Sequence, residues 1–334
     1  MIVDLLPSED QAAIRDSVAA FLAHELPIAR LHDPQAFAAG AERARWNALA
    51  ELGVFGLGLP EAQGGAGYDL PEQVTVALEF GRHLVSPTVL ATMIATRLAE
   101  GEALDALVAG RAVAAFANPM PGFSIQDSGS ARVQMLDAEG ADYALVWTDQ
   151  GAGLYPAPPA GRRVEALDES VSLEIADLDL DRPIARVSGP DLARRGGLLL
   201  SAYLSGLAQA SLAMSVEYAK TRSQFGQPIG AFQAIKHYCA EMARRAEAST
   251  AQTFYATLDA VHRQDDEVFE AAAARLLANE AAVENGRFNI QIHGAMGFTY
   301  EADAHLYLKR ALLASAILSH ERVEQTRVIT ASVD

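Results

Sequence analysis

Thr221-Arg222-Ser223-Gln224-Phe225-Gly226-Gln227-Pro228-Ile229-Gly230-Ala231-Phe232-Gln233 lies between two strongly helical segments. The helix ending in Tyr218-Ala219-Lys220 delivers a cation, an amide and an aromatic ring into a turn made by Gly226, Pro228 and Gly230. Arg222 offers paired charge-assisted bonds to a pyrophosphate. Gln224 adds a neutral hydrogen bond, and Phe225 can lie against a flat ring system. Arg222 alone would read as the cation that commonly ends a helix, with glycine as its stop. The whole run reads as a nucleotide-cofactor contact.

Outward from this stretch, residues 188–334 form a helical domain with long periodic segments at approximately 190–222, 232–262, 266–293 and 303–331. Short breaks at Gly226–Gly230, Gln264-Asp265 and Gly294–Gly297 separate them, which implies an up-down four-helix bundle. Abundant alanine and few aromatics suit close helix–helix contact. Residues 111–187 change character. Val113–Ala117, Ala131–Leu136 and Tyr143–Trp147 are short apolar or alternating runs punctuated by Gly, Pro and Asp, and they read as a small middle β-domain. The proline-rich stretch 156–159 is a loop or an edge.

Residues 1–110 read as helical again. Ser8 and Gln11 make a capping box before Ile14, Val18, Phe21 and Leu22 at helical spacing. A second helix carries Trp46, Leu49 and Leu52 and stops at Gly53. Leu59–Gly67 must be a loop, and Pro71 opens another helix with Val74, Val76, Leu78 and Phe80. The fold class is therefore mostly α with a small central β-domain.

The chain has 334 residues, half of them apolar, and a formal net charge of −17. That size supports two or three domains and a sizeable core. The charge argues against nucleic acid or an anionic membrane as partner, while a local basic pocket can still take an anionic ligand. Cys239 is the single cysteine, so no intramolecular disulfide forms, and it reads as a small core residue. No zinc-type Cys/His spacing occurs and no metal site is expected. The first residues lack a basic flank and no apolar run reaches spanning length, so a cytoplasmic location is expected.

A second chemistry-bearing run is Gln291-Ile292-His293-Gly294-Ala295-Met296-Gly297-Phe298-Thr299-Tyr300-Glu301. Its glycines open a helix end so that backbone N–H groups can face an anion or a ring edge. The first run resembles the R-x-x-F-G-x-P-I-x-x-F-Q segment of acyl-CoA dehydrogenases, and the second resembles their Q-x-x-G-G-x-G-[FY]-x-x-E segment, with Ala295 where Gly is usual. The order Trp46…Leu49-Ala50-Glu51-Leu52-Gly53…Gly67 is also similar to the N-terminal helical domain of that family. The resemblance implies FAD, held in part by Arg222, Gln224, Phe225, Gln233, Gln291, Gly294 and Ala295. It further implies an acyl-CoA substrate, α,β-desaturation and electron transfer to an electron-transfer flavoprotein.

Departures from the family pattern are specific. The middle-domain E-P-x-A-G-S-D run is replaced by Phe116-Ala117-Asn118-Pro119-Met120-Pro121-Gly122-Phe123, and no W-I-T-N run follows, although Trp147-Thr148 echoes it. The β-domain reads as trimmed. The usual catalytic glutamate position, aligned without gaps from Lys309-Arg310, holds Leu318. Shifting the alignment brings His320 or Glu321 into register. The alternative position on the first helix of the C-terminal domain falls near Gly196, in Arg194-Arg195-Gly196-Gly197, with no carboxylate. No catalytic residue is assigned, and Glu321 is the remaining candidate. In the family each flavin lies between two subunits. This chain keeps the neighbour's contribution and lacks the host's.

The pattern resembles the degenerate subunit of heterotetrameric bacterial acyl-CoA dehydrogenases that act on bulky substrates such as steroid side chains. The expected role is an FAD-sharing subunit whose partner, an acyl-CoA dehydrogenase-like protein, carries the base. The alternatives are a self-sufficient homo-oligomeric enzyme using Glu321 and a flavin-free structural or regulatory partner on the same fold.

Overall fold

A computed structural model of the chain describes residues 5–32, 42–120, 128–148, 151–159, 161–262, 267–319 and 321–331. The expected break at Gln264-Asp265, His320, and the Pro121-Gly122-Phe123 end of the replaced run lie outside the described residues. The chain falls into two compact units, Met1–Ile28 with Ala77–Leu84 and Leu198–Asp334, and Ala29–Val76 with Val85–Gly197.

Helix α1 (Glu9–Glu25) starts as its sequence dictates. Ser8 Oγ accepts from the Gln11 N–H, and Gln11 Oε1 accepts from the Ser8 N–H, both at 3.1 Å. Helix α2 (Trp46–Glu51) buries Trp46 and Leu49, and the Trp46 ring stacks on Phe55 at 5.2 Å. Helix α3 (Leu70–Arg82) carries Pro71 in its first turn, where a missing N–H costs nothing. Helices α4 (Thr88–Ala95) and α5 (Gly101–Val108) follow.

The middle of the chain builds one seven-stranded mixed sheet, ordered β5-β6-β2-β1-β3-β4-β7. The expected runs become β1 (Ala114–Pro119), β2 (Ser130–Leu136) and β3 (Tyr143–Thr148). Strands β4 (Gly151–Pro156), β5 (Arg162–Val164), β6 (Leu173–Asp179) and β7 (Ala185–Ser188) extend the sheet beyond them. Among the described strands, only β1 and β3 pair parallel. Ala115, Val133, Met135, Val146, Tyr155 and Leu178 fill its core.

The remaining helices are α6 (Asp191–Thr221), α7 (Gln233–His262), α8 (Glu267–His293), α9 (Ala304–Ser315) and α10 (Glu321–Thr330). Helix α8 packs against α7, α9 and α10. Ala208, Ala246 and Ala281 meet where α6, α7 and α8 converge, and Asn285 Nδ2 donates to the Ala208 and Met242 carbonyls at 3.1 and 2.9 Å. A Cβ on Gly81 would lie 1.9 Å from the Tyr203 carbonyl oxygen, so only glycine lets α3 and α6 approach this closely.

Three sequence expectations change. The single helix expected over 303–331 is two helices, α9 and α10. The buried Arg275 side chain explains the break: its Nη2 donates to the carbonyls of Ala314, Ser315 and Ile317 at 2.9, 3.3 and 2.9 Å, which ends α9. Leu318 then takes a left-handed φ of +77°. Second, α6 is long and apolar enough to cross a membrane by length and composition, against the expectation that no run would be. Its apolar window is 67% buried within the protein, and Leu199, Leu200, Leu204 and Leu207 sit in the core. Third, Cys239 is half-buried, not a core residue, and lines a surface groove.

Candidate functional site

The final turn of α6 leads straight into the first motif. The Arg222 N–H donates to the Tyr218 carbonyl at 2.8 Å, and the Ile229 N–H donates back to the Arg222 carbonyl at 2.8 Å. Between them β8 (Ser223–Gln224) and β9 (Gln227–Pro228) pair as a minimal antiparallel hairpin. Its two turn residues, Phe225 and Gly226, have φ of +53° and +80°. Two left-handed residues are what a two-residue hairpin turn demands. Glycine adopts that conformation freely, whereas phenylalanine does so at a cost of about 1–2 kcal/mol. The conformation leaves the Phe225 ring 91% exposed, with only an edge contact to Phe232 at 6.2 Å. Arg222 and Gln224 are exposed, and Arg222 forms no ion pair with a described residue. Gln233 is exposed at the first position of α7.

The second motif sits at the end of α8. Gly294, at φ +62°, stops the helix, and a tight turn spans Gly294–Phe298. Gln291, Gly294 and Ala295 are exposed, as are Met296 and the 76% exposed Phe298. Gly297 is buried against the Ile290 carbonyl.

A clasp fastens the two motif-bearing helix ends together. Tyr218 stacks on His293 with centroids 4.1 Å apart and planes 24° apart. His293 Nδ1 lies 2.8 Å from the Asn289 carbonyl, which can only accept, so Nδ1 carries the hydrogen. The Ser215 hydroxyl donates to Asn289 Oδ1 at 2.9 Å. Sequence reasoning did not single out His293 or Asn289 for this positioning role. The signal available was that Tyr218 precedes the first motif by one turn and His293 lies within the second, just before Gly294.

The face so formed suits the anionic, flat-ringed cofactor that the motifs imply. It offers the exposed Arg222 guanidinium, three side-chain amides, a helix-terminal turn and an outward aromatic ring. All seven candidate residues lie in one unit, and all are exposed.

The base candidates are placed differently. Glu321 is exposed in the first turn of α10 and accepts a hydrogen bond from Gln325 Nε2 at 2.8 Å. Leu318, in the ungapped position, is half-buried. The carboxylate that is buried here is Glu324, missed in the sequence because a charged residue on a short polar helix reads as solvated. It accepts from the Ser319 hydroxyl, and from Arg327 Nη1 at 2.7 Å. Arg275 faces the same cluster; burial pushes its guanidinium down to about 10, countered by the Glu324 charge.

At the alternative base position, a Cβ on Gly196 would meet the Trp147 ring at 2.6 Å. Trp147 is buried and packs on Phe116 at 4.9 Å. The adjoining Arg195 is held by Asp69 at 2.8 Å. Burial works against ionised Asp69, but the Arg195 hydrogen bond and charge outweigh it and hold the carboxyl below its usual range. Asn118 and Pro119 are half-buried in β1, paired with Gln134 and Val133 of β2.

Comparison with known proteins matches residues 8–106 to the acyl-CoA dehydrogenase N-terminal domain and residues 194–319 to the acyl-CoA dehydrogenase C-terminal domain. The chain is 31% identical to acyl-CoA dehydrogenase IpdE2 of Mycobacterium tuberculosis, over 95% of this chain and 96% of that protein. Among solved structures, the ChsE4–ChsE5 complex of Mycobacterium tuberculosis superposes with a TM-score of 0.77 at 21% identity, covering 98% of each chain. A variant of the Tcur3481–Tcur3483 steroid ACAD superposes with a TM-score of 0.76 at 24% identity, covering 96% of each. At those identities the two structures speak to the fold alone.

Proposed function

The chain belongs to the acyl-CoA dehydrogenase family, whose members are flavin-dependent oxidoreductases acting on CH–CH bonds, and on that premise we propose that it is an FAD-sharing subunit of a hetero-oligomeric enzyme. One observation carries this reading. Every residue matching the family's neighbour-donated cofactor contacts is exposed on one unit, while the positions matching the family's base hold no carboxylate poised for proton transfer.

The face would hold part of a flavin cofactor, which when bound would supply the hydride acceptor for α,β-desaturation of an acyl-CoA thioester. Arg222 and Gln224 would hold its diphosphate, with Gln233, Gln291 and the Gly294-Ala295 turn at the nucleotide end and Phe225 against a ring. The chain binds and orients; the group that takes the α-proton belongs to an acyl-CoA dehydrogenase-like partner. A general base must reach the proton it removes, and Glu321 is engaged by its own helix. A bulky acyl group of steroid-side-chain type is the substrate class that the resemblance to the degenerate subunits of heterotetrameric bacterial enzymes implies. An electron-transfer flavoprotein is the electron acceptor this chemistry calls for.

Arg222→Ala in the assembled complex tests the reading. Losing one charged phosphate contact costs about 1.5–3 kcal/mol, a weakening of FAD retention by roughly 10- to 150-fold. The isolated chain should keep its thermal stability. Unchanged FAD occupancy in the variant complex contradicts the assignment.

A further inference from the structure

Beside the candidate cofactor face, a groove of about 440 Å³ runs between the end of α6 and the start of α7, beneath the β8–β9 hairpin. Val216, Ala219 and Ile235 contribute apolar walls, Cys239 lines it, and Lys220 and Lys236 are the charged residues among its described lining. The choice of cation is unusual for this chain. The sequence contains three lysines against 23 arginines, and two of the three lysines line this groove. Lys220 pairs with Glu217 at 2.6 Å, an exposed helical pair worth little and easily exchanged. Lys236 is exposed and forms no ion pair with a described residue.

We propose that this groove is a docking socket for the partner subunit, taking an apolar side chain flanked by a carboxylate. The proposal rests on the companion-subunit reading and names where the partner grips.

Three features favour that occupant. The groove is lined by Pro228, a residue of the same hairpin that presents Phe225 at its turn, so a chain seated against the hairpin lies beside the groove. Its surroundings are a broad open surface: Gln233, Ala234, Lys236, His237, Tyr238 and Ala240 are exposed along the first turns of α7. A small molecule there would stay largely wet, whereas ligand sites enclose most of their ligand. Two flexible ammonium groups in a chain of net charge −17 attract a carboxylate locally. Two copies of this chain would instead bring like charge together.

Cys239 reports on the socket because it is the chain's single cysteine. Burial raises its thiol pKa, so labelling with a maleimide is followed at about pH 8 by mass spectrometry of the Cys239 adduct. The chain is compared alone and co-purified with an acyl-CoA dehydrogenase-like product of an adjacent gene. The expected result is at least about tenfold slower labelling in the complex. The double variant Lys220→Glu/Lys236→Glu, checked for folding by circular dichroism, should weaken assembly by about tenfold and reduce its salt dependence.

A flavin-loaded complex that leaves Cys239 as reactive as in the free chain overturns the socket and leaves the companion reading standing. Protection that grows with the concentration of this chain alone assigns the groove to a second copy and overturns the proposal. Protection by micromolar laurate alone makes it a small-molecule site and does the same. Failure to form any complex overturns the companion reading, and the socket with it.

Discussion

Two ends of the same helical unit are built to opposite rules. At the end formed by α6 and α8, the backbone is clasped through Tyr218, His293 and Asn289, yet the polar and aromatic groups beyond the clasp point outward. Arg222 has no ion pair with a described residue, and Phe225 is strained and 91% exposed. At the other end, between α9 and α10, the polar groups turn inward. Arg275 closes the last carbonyls of α9, and Glu324 is sealed against Ser319 and Arg327. A side chain that only stabilises its own chain gains by burial with partners. One held out, at a conformational cost, is placed for something that is not yet there. The first end is made to be met and the second to hold itself shut.

The largest effect should fall on the closed end. Arg275→Met removes hydrogen bonds to buried carbonyls and leaves Glu324 with less compensating charge. It should cost about 3 kcal/mol of stability, read by urea denaturation, with the cofactor face otherwise unchanged. A loss below about 0.5 kcal/mol would show that the break between α9 and α10 does not depend on Arg275.

At the open end, stability and function should move in opposite directions. Phe225→Gly relieves the left-handed strain and should stabilise the isolated chain by up to about 1 kcal/mol. The same change should weaken FAD retention in the complex. Gains or losses in both together would contradict the contrast.

A smaller effect sets Glu79 apart from Glu324, another buried carboxylate of this unit. Glu79 is 2% exposed, with Arg82 at 3.5 Å and His83 at 3.9 Å. Burial pushes its carboxyl up, and the Arg82 charge only partly counters this. An acid raised in the folded state favours folding while protonated. That contribution is complete below the unfolded carboxylate value and is lost as pH rises through the folded value. Glu79→Gln should therefore raise the melting temperature near neutral pH, by less than about 1 kcal/mol equivalent, and the gain should vanish toward about pH 4. Glu321→Gln should change neither stability nor turnover of the assembled enzyme. A large loss of turnover would return the base to this chain.

Much of this was legible in the sequence, for identifiable reasons. Apolar spacing placed the 190–222 helix within a residue of Asp191–Thr221, because a buried face repeats with the helical period. The capping box at Ser8 and Gln11 formed as read. The break before α10 was not legible because its cause, Arg275, lies 39 positions from the first carbonyl it holds. Strand β4 escaped because Gly151-Ala152-Gly153 lacks the β-branched signature; it pairs through backbone with β3, opposite Trp147 and Val146. The motif residues were visible as residue types, but their shared exposure was not. That depends on the Tyr218–His293 stack, a contact between helices 75 positions apart in sequence.

The most direct measurement is flavin absorbance of the chain purified alone and co-purified with an acyl-CoA dehydrogenase-like product of an adjacent gene. The account predicts a colourless chain alone and a yellow complex with about one FAD per heterodimer. A yellow chain alone, bleached by an acyl-CoA, would contradict it: the chain would then host its own flavin and base, and the open face would serve a second copy of itself.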